Sequence, residues 1–179
     1  ASKKGIPTLI QEQNSFPGVT NRLLGRRVRR ICVAYPGMDR YFPAEKVIMT
    51  GNPVRTDLVS LDDHLPEAYM HFVLDPSKKT LLVMGGSGGA KTINDSILAS
   101  LDQGLPEDVQ LLWQTGRYYY EEVIRKLSDA GYLEPCILPF IDRMDLAYSC
   151  ADLVVSRAGA IAISELCLVG KPVILVPSP

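Results

Sequence analysis

A chain of 179 residues, 46% of them hydrophobic, is long enough to bury a core of its own and to hold one domain with a piece of another. Its formal net charge of -1 and charged fraction of 22% supply no basic excess, which argues against nucleic acid as a partner and leaves any anion to be met locally. Cys32, Cys136, Cys150 and Cys167 form no C-x-x-C pair, so neither a zinc knuckle nor a redox dithiol is indicated. Each stands beside apolar residues and reads as a small buried hydrophobe, and unpaired thiols favour a reducing, cytosolic setting. No window approaches the roughly 18 consecutive apolar residues of a membrane-spanning helix.

In chain order, residues 7–11 read as a strand, 19–28 as a helix, 31–34 and 47–49 as strands, followed by the turn Gly51-Asn52-Pro53. Residues 57–79 read as a connection with a short helix after Pro66. From Lys79 onward apolar runs alternate with amphipathic stretches: strands over 80–84, 109–113, 136–140, 153–155 and 173–176, helices over 91–101, 118–129, 144–150 and 159–169. Apolar strands without polar alternation suit a parallel sheet covered on both faces, a doubly wound α/β fold. Ligands on such sheets bind at the carboxyl ends of the strands. The ending Pro177-Ser178-Pro179, just past a strand, suggests that the last βα unit lacks its helix and that the chain is cut from something larger.

The loop Gly85-Gly86-Ser87-Gly88-Gly89-Ala90 lies between a predicted strand and a predicted helix, where glycines let backbone N–H groups approach an anion and Ser87 adds a hydroxyl. A plain tight turn is the alternative. The loop is not a Walker A motif, because Ala90 precedes Lys91-Thr92 where the last glycine should stand and no downstream strand ends in aspartate. It fails the dinucleotide fingerprint too, since no acidic residue ends the next strand. A second glycine turn, Ser156-Arg157-Ala158-Gly159-Ala160, opens the helix that carries Ser164 and Glu165. Glu165 interrupts an apolar stretch and either meets donors such as ribose hydroxyls or lies on the exposed side of the helix. His64 and His71, with Asp62 and Asp63 nearby, match no metal-ligand spacing, and neither a metal nor a cofactor is expected. Of Tyr118-Tyr119-Tyr120, one ring is expected to pack and the others to be exposed. Arg22, Arg26, Arg27, Arg29 and Arg30 cluster on or after the first helix, with Arg22, Arg26 and Arg29 near one face. They offer either a solvated basic face or a contact with an anionic membrane surface, although no apolar wedge is evident beside them.

Taken together, Glu12-Gln13-Asn14, Pro17-Gly18, Thr20-Asn21-Arg22, Gly51-Asn52-Pro53-Val54-Arg55, Gly85-Gly86-Ser87 with Gly89-Ala90, Gln114-Thr115-Gly116, Phe140-Ile141 with Met144, and Gly159-Ala160 with Ser164-Glu165 follow the order seen in one family. The chain resembles, over nearly its whole length, the MurG family of bacterial glycosyltransferases, family 28. The resemblance implies a GT-B enzyme, two Rossmann-like domains flanking a cleft, with residues 1–50 the end of the N-terminal, membrane-side domain and 51–179 most of the C-terminal UDP-sugar domain. It implies an inverting transfer of N-acetylglucosamine from UDP-N-acetylglucosamine to the lipid-linked muramyl acceptor lipid I, giving lipid II at the cytoplasmic face of the plasma membrane. Carried over by motif, Asn14 contacts the donor sugar, and Arg55 and Ser87 the nucleotide and its diphosphate, on a loop of Gly85, Gly86, Gly88 and Gly89. Ile141 offers backbone to uracil; Ala160, Ile161, Ala162, Ile163, Ser164 and Glu165 line the donor, with Glu165 on the ribose. Gly88 stands where glutamine is common. The family's amino-terminal glycine loop and its glutamine-rich motif lie outside this chain, so the catalytic base is not assigned and the chain alone is expected to be inactive. Another GT-B UDP-sugar enzyme, such as a diacylglycerol glucosyltransferase or an epimerase, and a non-catalytic UDP-sugar module are the alternatives.

Overall fold

The computed structural model describes residues 1–58, 61, 64–132 and 136–178; Asp62, Asp63 and Pro179 lie outside them. The chain divides into two compact units, Ala1–Val54 and Arg55–Pro179.

The first unit carries strand β1 (Leu9–Glu12), helix α1 (Val19–Gly25) and strands β2 (Arg30–Val33) and β3 (Val47–Met49). The strands are parallel, in the order β1-β2-β3. Ile31, Val33, Val28, Met38 and Phe42 form its core. Helix α1 stops at Gly25, three residues short of the expected end. Gly25 is buried against Phe42, whose ring would stand 2.7 Å from a Cβ at that position. The N–H groups of Arg27 and Val28 both turn back to the Leu24 carbonyl. Arg26 and Arg29 therefore lie beyond the helix, and the basic cluster is not one helical face.

The second unit is a doubly wound α/β domain: α2 (Leu65–Phe72), β4 (Lys79–Met84), α3 (Lys91–Leu101), β5 (Val109–Gln114), α4 (Tyr120–Asp129), β6 (Cys136–Leu138), α5 (Met144–Cys150), β7 (Leu153–Arg157), α6 (Ala160–Val169) and β8 (Val173–Val176). Its five strands are all parallel, in the order β6-β5-β4-β7-β8. Alternate residues of β4 feed opposite layers, as the pleat requires. Leu82 and Met84 pack with Phe72, Leu146, Tyr148 and Leu166 of α2, α5 and α6. Val83 packs with Trp113, Ile93, Leu101, Val123 and Leu127 against α3 and α4.

Strand β6 ends at Leu138, not at 140, because Pro139 has no N–H to give to the ladder. Helix α4 begins at Tyr120, not at 118: Tyr119 caps it and packs into the core, whereas Tyr118 is 84% exposed. The expectation of buried cysteines holds for Cys150 and fails for Cys167, which is exposed. On α6 the core side is taken by Glu165 and Leu166, and the next two residues face outward. Among the described residues no helix is long and apolar enough to cross a membrane, and no cluster of His, Cys, Asp and Glu is placed to hold a metal ion.

Candidate functional site

The strand order locates the site. From β4 the chain steps outward to β5 and β6, then returns to the other side of β4 with β7 and β8, so the winding reverses between β4 and β7. At such a switch point the connections leave in opposite directions and open a crevice beyond the strands' carboxyl ends. The glycine loop follows β4 there, and the Ser156–Gly159 turn ends β7, its direct neighbour with Met84 opposite Ser156. The amino ends of α3 and α6 thus start from adjacent strands, each with a dipole that favours an anion.

A cavity of 390 Å³ occupies this crevice, and it brings together Arg55, Gly86, Ser87, Ile141, Ile161, Ala162 and Glu165 of the sequence-derived candidates. Gly85, Gly88, Gly89, Ala160, Ile163 and Ser164 do not line it. The first of these shapes the loop: a Cβ on Gly85 would stand 2.4 Å from the Ala90 nitrogen, so only glycine lets the loop fold back onto the start of α3. At Gly88 a Cβ would meet nothing within 4 Å, so the glutamine common at this place would find room. The Ser164 hydroxyl donates to the Ala160 carbonyl at 2.9 Å, one turn back in its own helix. Asn14 belongs to the first unit. There the Glu12 carboxylate, 2% exposed, accepts from the Asn14 amide and side-chain nitrogens, the Gly18 amide and Asn21 Nδ2. That bond holds the nitrogen of the Asn14 carboxamide and turns its oxygen away as an acceptor.

Glu165 is buried at 8% exposure, which overturns the exposed-side alternative. Its carboxylate stands 3.6 Å from Arg55 Nε and accepts from the Tyr148 hydroxyl at 3.4 Å. Burial, with the Glu165 charge beside it, pushes the Tyr148 phenol up, so that it remains a donor. The Ile141 N–H is already given to Gln114 Oε1 at 2.9 Å and is not on offer to a ligand. Arg143 grips both oxygens of Asp145 at the start of α5 and steadies the segment after Ile141.

Arg157, Tyr148 and Gln114 also line the cavity, and none of them was a candidate in the sequence reading. Arg157 reaches the Thr92 hydroxyl at 2.6 Å and the Pro177 carbonyl, which sets a guanidinium beside the start of α3. Tyr148 gave no signal, being one apolar-face residue of α5 among several. Gln114 was visible only as part of a motif.

These features define a Rossmann-like α/β domain with its ligand crevice at the switch point. Residues 80–179 match the glycosyltransferase family 28 C-terminal domain. The chain belongs to that family. It is 56% identical over 179 residues to the UDP-N-acetylglucosamine--N-acetylmuramyl-(pentapeptide) pyrophosphoryl-undecaprenol N-acetylglucosamine transferase of Parabacteroides distasonis, covering 100% of this chain and 49% of that protein. The enzyme of the same name from Bacteroides fragilis is 53% identical over 181 residues, with 100% and 48% covered. The chain spans about half the length of the curated relatives it matches. The crystal structure of Acinetobacter baumannii MurG superposes with a TM-score of 0.63 at 33% identity, over 99% of this chain and 47% of that one. Anabaena HepE, solved with UDP and glucose, shares the fold at a TM-score of 0.59 and 15% identity, over 94% and 52% of the two chains.

Proposed function

We propose that this chain supplies the donor-binding part of a transferase that moves N-acetylglucosamine from UDP-N-acetylglucosamine to lipid I, forming lipid II for peptidoglycan. The observation that carries the reading is the convergence of Gly86 and Ser87 of the glycine loop, the first turn of α6 and the buried Glu165 on one cavity, in a chain that is 56% identical to a relative bearing that activity in its name. The acceptor's muramyl hydroxyl attacks the anomeric carbon and yields its proton to a general base that is not assigned among these residues, the bond from that carbon to the diphosphate oxygen breaks, and UDP leaves with the electron pair. Negative charge grows on the departing diphosphate. Donors fixed before the reaction stabilise such charge without reorganising, each worth about a hundredfold or more in rate. Ser87, the loop amides and Arg157 are placed for this, and Glu165 takes the ribose hydroxyls. Asn14 is assigned to the donor sugar by motif. Residues 1–50 are read as the end of the acceptor-side domain and 51–179 as the greater part of the donor domain.

Peripheral attachment to the anionic cytoplasmic face of the membrane belongs to the same proposal. Phe16, Val19 and Leu23 are 62%, 72% and 71% exposed around Arg22 and Arg26, the apolar wedge that the sequence had not revealed. Basic residues near such a surface contribute about 1 kcal/mol each. Lipid II should form when the complete enzyme containing this chain is given lipid I and UDP-N-acetylglucosamine, and calorimetry should rank that donor above UDP-glucose and ADP. Absence of product, or preferential transfer of glucose, would overturn the assignment.

A further inference from the structure

The motif Gln114-Thr115-Gly116 has no part in the donor contacts assigned above, yet it is built into both sides of the cavity. Gln114 ends β5, the strand between β4 and β6, with Met84 beside it in one neighbour and Leu138 in the other. It is 4% exposed, and its carboxamide is used at both ends. Nε2 donates to the Gly86 carbonyl at 3.0 Å, in the glycine loop after β4. Oε1 accepts from the Ile141 N–H at 2.9 Å, in the segment after β6. One planar amide therefore spans the two loops that follow the flanking strands.

The consequence is directional. In a trans peptide the C=O and the following N–H point opposite ways. The Gly86 carbonyl is tied back by Gln114 and by the Gly89 N–H at 3.0 Å, so the Ser87 N–H on the same peptide is aimed away from Gln114. The peptide between Phe140 and Ile141 is fixed in the same manner. The rest of the motif presses on the loop from behind. Gly116 has φ +84°, and a Cβ there would lie 2.2 Å from the Gly89 nitrogen and Cα, so two backbones touch with no side chain between them. The Thr115 carbonyl accepts from Asn94 Nδ2 at 2.9 Å, and Trp113 Nε1 donates to Asn94 Oδ1 at 3.2 Å, which anchors the motif to α3.

We propose that Gln114 is a positioning residue that locks the diphosphate loop to the base-side segment, so that the two halves of the nucleotide meet one rigid frame instead of two independent ones. This rests on the UDP-sugar reading above. The energetic signature of such a lock is coupling. A ligand that engages both loops gains from their fixed spacing, while one that engages a single loop gains nothing from it.

The test is titration of the complete enzyme, unaltered and as Gln114→Met, with UDP, uridine and pyrophosphate. The methionine keeps the length of the side chain and removes both hydrogen bonds. The Kd for UDP should rise about tenfold, as expected for one to two hydrogen bonds, while uridine and pyrophosphate each change by less than about threefold. Gln114→Glu keeps the acceptor for Ile141 and loses the donor to Gly86, which also breaks the lock, so UDP should again weaken while uridine changes by less than about threefold. An unchanged Kd for UDP in both variants, or an equal loss for all three ligands, would overturn the proposal. If the unaltered enzyme bound no UDP, the donor reading itself would fall.

Discussion

Replacing Glu165 by glutamine keeps the shape of the side chain and removes its charge. The side chain is 11% exposed, so solvent and salt screen it weakly. Its two partners stand at 3.6 Å (Arg55 Nε) and 3.4 Å (Tyr148 hydroxyl), both longer than the roughly 2.7–2.9 Å of a strong charge-assisted bond. A carboxylate with about four acceptor positions is thus left with lone pairs to offer. A hydrogen bond to a charged acceptor contributes about 1.5–3 kcal/mol, against about 1 kcal/mol for a neutral one. The difference, about 0.5–2 kcal/mol, corresponds to a loss of UDP affinity of roughly twofold to thirtyfold in Glu165→Gln. Calorimetry with UDP and with 2′,3′-dideoxy-UDP separates ribose recognition from general damage. The loss should be confined to the ligand that carries the hydroxyls. The same factor for both ligands would refute the ribose contact.

Two further outcomes concern stability. Val73 caps α2 in the left-handed conformation, φ 54°, with its side chain 91% exposed, so it buries nothing while a β-branched residue there costs about 1–3 kcal/mol. Val73→Gly should raise the melting temperature by a few degrees, about 1 kcal/mol after the extra entropy of glycine; an unchanged or lower value in thermal denaturation would sink the argument. Glu12 is raised by burial, but the bonds from Asn21, Asn14 and Gly18 together outweigh this and hold it below the ordinary 4.5. Asp145, through Arg143, is held below 3.8, and so is Asp152, where bonds from Thr80 and Lys79 outweigh burial. A lowered carboxyl stabilises the fold at pH values above its unfolded value, and that contribution disappears as pH falls through the folded one. Stability should therefore fall steadily on acidification from about pH 4.5 downward, and Glu12→Gln should flatten part of that slope for the first unit. Parallel curves for the two proteins in urea unfolding would argue against the role given to Glu12.

The second unit was legible because its signals are local. Helices α3 and α5 fall on residues 91–101 and 144–150 as periodicity places them, and the strands of the switch point are apolar runs that no helix pattern competes with. The errors lie where a distant residue decides the matter. Nothing near Gly25 announces that Phe42 will press against it, and a tyrosine triplet does not say which ring will cap a helix. The left-handed Val73 was equally hidden, since glycine is what that conformation normally signals. At the site, the glycine loop and Glu165 could be read from residue type and placement. Gln114, Tyr148 and the commitment of the Ile141 N–H could not, because each depends on which strands become neighbours.

Strand order also fixes when the site can come into being. Strands β4, β5 and β6 follow one another in the chain and pair in that order, so the glycine loop and its Gln114 brace depend on pairings between successive strands. The opposite wall arrives only when β7 pairs with β4, Met84 meeting Ser156 across a long intervening stretch of chain, a closure whose entropy must be met before its contacts give any return. In chain order the glycine loop and its brace thus precede Arg157 and the wall of α6 that close the site around them.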